Sequence, residues 1–395
     1  MKLKSVFIAV PLLLSSAITG QDDLINKVKN NGKDSSQAGY QFETLIDLET
    51  TDIKNQGRSG TCWSYATTSF IESEMIRMGK EPVDISEMYT VRQVYLDKAE
   101  KYVRLHGHLN FAQGGALPDV LYVIEKYGAV PQEVYEGLDY GTDINNHSEL
   151  ENVLKAQLDQ IIKNPNKTLT PSWKKAFNAT LDAYLGSYPE EFEWKGKAYT
   201  PRSFADEVIG IEPGDYLQFT SFTHQPMYET VMIQVPDNWT WATSYNVNLN
   251  DLVKIADNSL EEGYSVGWAT DVSEDGFSLK NGLALVPEGY DEMETEEQQA
   301  VFESPHNEMT ITLEMRQRAY DNYSTSDDHA MQLTGMVKDQ NGDEYYIVKN
   351  SWGDRDNDYK VGYIYASKPF FRYKTISVLV HRDAVPKPLF KKLDL

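Results

Sequence analysis

The chain is short of thiols: 395 residues contain one cysteine, Cys62. A single cysteine cannot close an internal disulfide, so a disulfide scaffold is excluded and the thiol either stays free or pairs between chains. Long apolar runs are also missing. Beyond the first twenty residues no stretch approaches about 18 unbroken apolar positions, which leaves no stable membrane-spanning helix to be expected. Basic residues are outnumbered, 37 against 60 acidic ones, for a net charge of −23. Such a field repels phosphate backbones and anionic surfaces, so nucleic acid is not an expected partner. What remains is ample for a large core: 41% hydrophobic and 12% aromatic residues in 45.0 kDa.

The opening "MKLKSVFIAVPLLLSSAITG" carries two lysines, a short apolar stretch from Val6 to Leu14 interrupted by Pro11, and small residues after it. This pattern predicts a signal peptide over residues 1–20, removed on export to a periplasmic or secreted location. Residues 21–395 then form the mature domain. Within it, Trp63, Ala66, Phe70, Ile71, Met75 and Met78 recur at helical spacing behind Cys62, and Gly79 offers a left-handed stop. Pro118 to Gly128 reads as a second helix. "HSELENVLKAQLDQIIKN" and the stretch from Pro171 to about Leu185 give two more, read as a helical insertion at about 140–210. From Asp215 onward the periodicity shortens to strands. "HAMQLTGMVKD" and "EYYIVKNSWG" form a hairpin around Asn341 and Gly342, followed by "VGYIYA" and "TISVLVHR".

The cysteine sits in "NQGRSGTCWSYATTSF", where two glycines turn the chain into the first helical position. Unpaired N–H groups there favour a thiolate, and an imidazole nearby would lower the thiol pKa further. Of seven histidines, His329 stands out, because it begins the strand whose hairpin partner ends at Asn350. An imidazole and an amide then meet at one end of a sheet, as a Cys, His and Asn triad requires.

"QGRSGTCW", "DDHAM" and "YYIVKNSWG", in that order, resemble the papain-like cysteine peptidases. The resemblance implies an α+β papain-like fold of two lobes, one helical and one an antiparallel sheet, with a large helical insertion. It implies Cys62 as nucleophile, His329 as general acid and base, Asn350 as the amide that orients it, and Gln56 as an oxyanion donor beside the Cys62 N–H. Trp352 matches the indole that shields the His–Asn hydrogen bond, and Gly114 and Gly115 the pair that takes an extended substrate. Trp63 joins these three on the substrate-binding wall. No cofactor or metal is implied.

The separation of Cys62 from His329 is about twice the roughly 130–150 residues of simple papain-type enzymes. With "SGTCW" in place of "CGSCW" and no disulfides, this is similar to the bleomycin hydrolase and aminopeptidase C branch, whose members cleave from free N-termini and form hexameric rings. That branch ends in a tail returning to the cleft, whereas here the chain reads "VPKPLFKKLDL". The expectation is an aminopeptidase acting on peptides through a thioester acyl-enzyme, assembled as a homo-hexamer. An open-cleft endopeptidase and an inactive peptide-binding protein of the same fold stay open as alternatives.

Overall fold

The computed structural model describes residues 39–357 and 359–395, so the predicted signal peptide lies outside the described residues. The cysteine helix α1, Cys62–Arg77, begins at the predicted residue and ends one residue before Met78, with Gly79 at φ +72°. Its apolar residues as far as Met75 are buried, whereas Ile76 is half-buried and Met78, expected on the same stripe, is exposed; Ser64, Thr67, Thr68, Glu72 and Glu74 are buried as well. Each of these buried carboxylates has a partner: Glu72 accepts from the Ile85 N–H at 3.0 Å, and Glu74 pairs with Arg77 at 2.8 Å. The helix is therefore enclosed on all sides, a burial that amphipathic spacing does not reveal.

Helix α2, Glu87–Arg104, packs beside it and starts at Ser86, whose hydroxyl accepts from the Tyr89 N–H at 3.1 Å. Helix α3, Pro118–Tyr127, stops at Gly128. The region at 140–210 contains α4, Ser148–Ile162, and α5, Ser172–Leu185, then a short hairpin of Phe192–Trp194 with Lys197–Tyr199. Leu150, Leu154 and Leu158 on α4 and Phe177, Leu181 and Leu185 on α5 are buried in one core with α1 and α2. Trp173 and Tyr184 are half-buried at its edge.

The second lobe is an eleven-stranded sheet. Strand β1 is Glu43–Asp47. Along the main path the order is β3 (Glu229–Met232), β4 (Thr243–Asn246), β2 (Tyr216–Thr220), β11 (Thr375–His381), β5 (Val266–Thr270), β8 (His329–Lys338), β9 (Glu344–Lys349), β10 (Tyr363–Ser367), β7 (Leu283–Ala284) and β6 (Phe277–Ser278), with β1 on β8. Pairing is antiparallel except between β2 and β4 and between β10 and β7, so the sheet is mixed rather than wholly antiparallel. Helix α6, Leu249–Glu261, covers one face with Leu252, Ile255 and Ala256 in a second core. The opposite face gives Ala269, Ala330, Ile376 and Leu379 to the helical core. The lobes thus meet along β8, where α1 packs. Among the described residues no helix is long and apolar enough to cross a membrane.

Candidate active site

The β8–β9 hairpin pairs Gln332 with Lys349 and Lys338 with Glu344 across a turn in which Gly342 has φ +92°. Antiparallel register therefore brings His329, first in β8, beside Asn350, just past the end of β9. The His329 Nε2 lies 2.8 Å from Asn350 Oδ1, and the Ser351 N–H donates to the same oxygen at 2.8 Å. A backbone N–H can only donate, so the amide atom facing the ring is the oxygen. Nε2 must then carry the ring proton, and Nδ1 is left bare. The ring is 1% exposed and its Nδ1 has no partner among the described residues. Trp352 stacks on it, centroids 4.4 Å apart, and closes it off from water.

Across the cleft, Thr61 precedes the helix and its carbonyl accepts from the Ser64 N–H at 2.9 Å. Its hydroxyl is held by Ser59 at 2.5 Å instead of capping the helix. Cys62, the first helical residue, keeps an N–H that no turn of the helix can use. Cys62, Trp63, Gly114, Gly115 and His329 line one cavity of about 350 Å³, with Ala330 also in its lining. The structure thus brings these five predicted residues together. Asn350 and Trp352 stand behind the histidine, outside the lining.

Gln56 is also behind the wall. It is buried, donates from Nε2 to the Ser59 carbonyl at 2.7 Å and accepts at Oε1 from the Ser351 hydroxyl at 2.7 Å. The second Nε2 hydrogen remains. The glycines meet protein neighbours: a Cβ on Gly114 would lie 1.9 Å from Asp237 Oδ2, and one on Gly115 2.7 Å from the Trp63 ring. Gly114 also accepts at its carbonyl from the buried Lys98 Nζ at 2.5 Å.

Burial pushes the Cys62 thiol up to about 12, with the charges of Asp327, Asp237 and Asp328 adding to it and the Ala330 backbone opposing. Burial likewise lowers His329 to about 4, against the hydrogen bond to Asn350. Burial thus favours the neutral form of both the thiol and the imidazole. Desolvation and the nearby carboxylates thus oppose the thiolate that the helix N-terminus favours.

Sequence reasoning passed over Gln113, Asp237 and Asp327. The Gln113 Oε1 accepts from the Gly60 N–H at 2.7 Å and its carbonyl from the Trp63 indole at 3.1 Å, tying the cysteine loop to the glycine loop. Asp327 carried a signal, since it stands two residues before His329 in "DDHAM". Asp237 carried none, because only the tertiary fold brings its turn to the cleft.

Residues 103–395 match the family described as the Peptidase C1-like family. The chain belongs to that family. The matched span includes His329 and Asn350, while Cys62 precedes it. Among relatives of this Peptidase C1-like chain, Aminopeptidase C of Streptococcus thermophilus is 24% identical over 88% of this chain and 84% of its own length. The mitochondrial Cysteine proteinase 1 of Saccharomyces cerevisiae is 22% identical, covering 94% and 82%. The crystal structure of pepw from Lactobacillus rhamnosis superposes with a TM-score of 0.69 at 19% identity, over 94% of this chain and 86% of that one. These bear out the resemblance read from the motifs and the papain-like α+β fold of a cysteine peptidase.

Proposed function

We propose that this cysteine peptidase is an aminopeptidase that removes residues from free N-termini, with Cys62 as nucleophile. One arrangement carries the reading: a thiol opening a buried helix shares a cavity with an imidazole whose Nε2 is committed to Asn350 and whose Nδ1 is bare. Starting from the neutral pair, the Cys62 sulfur bonds to the substrate carbonyl carbon as its proton passes to His329 Nδ1. The imidazolium stays hydrogen-bonded to Asn350. The Cys62 N–H and the free Nε2 hydrogen of Gln56 take the oxyanion. The C–N bond then breaks as Nδ1 returns the proton to the leaving amine, and the thioester remains. Water, deprotonated by the same nitrogen, cleaves the thioester and restores the thiol. No step calls for a metal or cofactor.

The exopeptidase form is supported by the names of relatives that align over most of the chain. An endopeptidase is favoured by one observation: no residue from 386 to 395 lines the cavity. Digesting one peptide with free and acetylated N-termini separates the two. Stepwise release from the free form alone supports the aminopeptidase, and equal internal cleavage of both overturns it. Iodoacetamide should add once and abolish hydrolysis, and Cys62→Ala retaining a tenth of wild-type activity would exclude the mechanism.

Export and a hexameric ring belong to the same proposal. Export rests on residues 1–20, and a mature chain starting near Gln21 outside the cytoplasm is the expected result. An intact Met1 in cytoplasmic protein would overturn it. Light scattering of the purified protein tests the ring.

A further inference from the structure

Glu151, Asp237, Asp327 and Asp328 line the cavity that holds Cys62, and Arg58 is the only lysine or arginine among its described lining residues. Two of these carboxylates are committed. Glu151 is hydrogen-bonded to the side chain and backbone of Gln113, and Asp328 accepts from the Val272 N–H at 2.9 Å and from Ser273. Asp237 accepts at Oδ1 from Asn110 at 3.0 Å, which leaves Oδ2. Asp327 has no hydrogen bond or ion pair with a described residue. Lys98 acts on Asp237 from behind the glycine loop, but its ammonium donates to the Ala112 and Gly114 carbonyls. An independent mark of where a ligand reacts is His329, 1% exposed, lining the same cavity with an unpartnered Nδ1.

We infer that Asp237 and Asp327 together bind the free α-ammonium of the substrate. This rests on the aminopeptidase reading and names the groups that would enforce it. In an N-terminal residue the ammonium nitrogen is roughly 2.5 Å from the carbonyl carbon that Cys62 attacks, by standard backbone geometry. Its counter-charge must therefore lie beside the sulfur. Of the carboxylates whose charge reaches the sulfur, Asp327 acts most strongly and Asp237 next. Asp394, the one carboxylate side chain of residues 386–395, does not line the cavity. Burial and the charges of Asp237 and Asp271 hold Asp327 up at about 8. An arriving ammonium offsets that repulsion and favours the ionised form of Asp327 that binds it. An acetylated amine brings no charge and gains neither effect.

The test uses the full chain, Asp237→Asn, Asp327→Asn, the double variant and Asp327→Glu. Matched aminoacyl arylamides with free and acetylated amines give the ratio of kcat/KM between the two forms. A second measurement follows protection of Cys62 from iodoacetamide by leucinamide against N-acetyl-leucinamide. Each Asn variant should lower the ratio and the protection about tenfold, the loss of one charge-assisted contact, mainly through KM of the free form. Asp327→Glu should retain most of both, and melting temperatures confirm folding. Protection by leucinamide that persists in the double variant overturns the inference. If wild type cleaves both arylamides equally yet leucinamide protects through these carboxylates, the aminopeptidase reading fails and the ammonium site stands.

Discussion

The two walls of the cleft treat their buried polar groups differently. On the helical wall, Gln56 is held from both ends by Ser59 and Ser351, and Gln113 links Gly60, Trp63 and Glu151. On the sheet wall, His329 Nδ1, Asn350 Nδ2 and Trp352 Nε1 are buried without partners among the described residues. The helical wall is a frame whose bonds fix where the sulfur stands. The sheet wall keeps unused hydrogen-bonding capacity next to the reacting atoms.

Replacing the bare nitrogen should break this contrast most severely. His329→Ala removes the group that moves both protons, so turnover should fall about 100- to 10,000-fold, the usual contribution of a general acid–base. Single-turnover kinetics with an arylamide would read it. A loss under tenfold would take His329 out of the chemistry.

The neutral resting pair makes the next prediction. With the thiol pushed up to about 12, the thiolate fraction grows with every pH unit through the neutral range. Iodoacetamide alkylation of Cys62 should then rise about tenfold per pH unit, or about a thousandfold from pH 6 to 9. The charged and titratable groups that line the cavity with the sulfur are Asp327, Asp237, Asp328, Glu151, His329 and Arg58. A plateau over that range would mean a pre-formed thiolate and imidazolium pair, and would reverse the order of proton transfer.

Gln56 sharpens the comparison, since it is the frame residue assigned to the oxyanion. Losing one oxyanion donor typically costs about 100- to 1,000-fold in turnover. Gln56→Ala should do this with little change in KM. Ser351→Ala removes only the hydroxyl that orients the amide, and its effect should be far milder. If the two variants are equally impaired, Gln56 acts by bracing Ser351 and the hairpin end, with no part in the oxyanion site.

Much of the sheet wall was legible because hairpin register is local. Asn341 and Gly342 mark the turn, and counting back from them along both strands brings His329 and Asn350 to one end. The cysteine helix was legible from its spacing and from Gly79. The helical wall was not, since its bonds join residues distant in sequence: Gly60 to Gln113, Gln56 to Ser351, Gly114 to Asp237. Helix α2 also went unread, because buried charged residues such as Arg92 and Lys98 blur its apolar stripe. The burial of the thiol is hidden from the sequence for a related reason. A helix end is visible in sequence, whereas the burial and the carboxylates that oppose it come from the fold.

The glycine loop offers a smaller test that separates structure from catalysis. A Cβ on Gly115 would lie 2.7 Å from the Trp63 ring and 2.8 Å from Asp119. Gly115→Ala should lower stability by about 1–3 kcal/mol through overpacking, measurable by denaturant unfolding. Unchanged stability with impaired substrate binding would return this glycine to the role of a substrate contact.

The smallest effect on selectivity is expected from the tail. Leu389 and Leu393 are buried in the core of the sheet lobe, Leu395 packs against it, and the Leu395 N–H donates to the Phe390 carbonyl at 3.2 Å. None of them lines the cavity. Deleting Lys391 to Leu395 removes the burial of Leu393, so it should lower the melting temperature by the equivalent of about 1.5–3 kcal/mol. The preference for free over acetylated arylamides should stay as in the full chain, because the carboxylates assigned to the amine, Asp237 and Asp327, are untouched. If truncation instead lets acetylated or longer peptides be cut at the free-substrate rate, the tail is what restricts the cleft, and the two carboxylates lose their assigned role in selectivity.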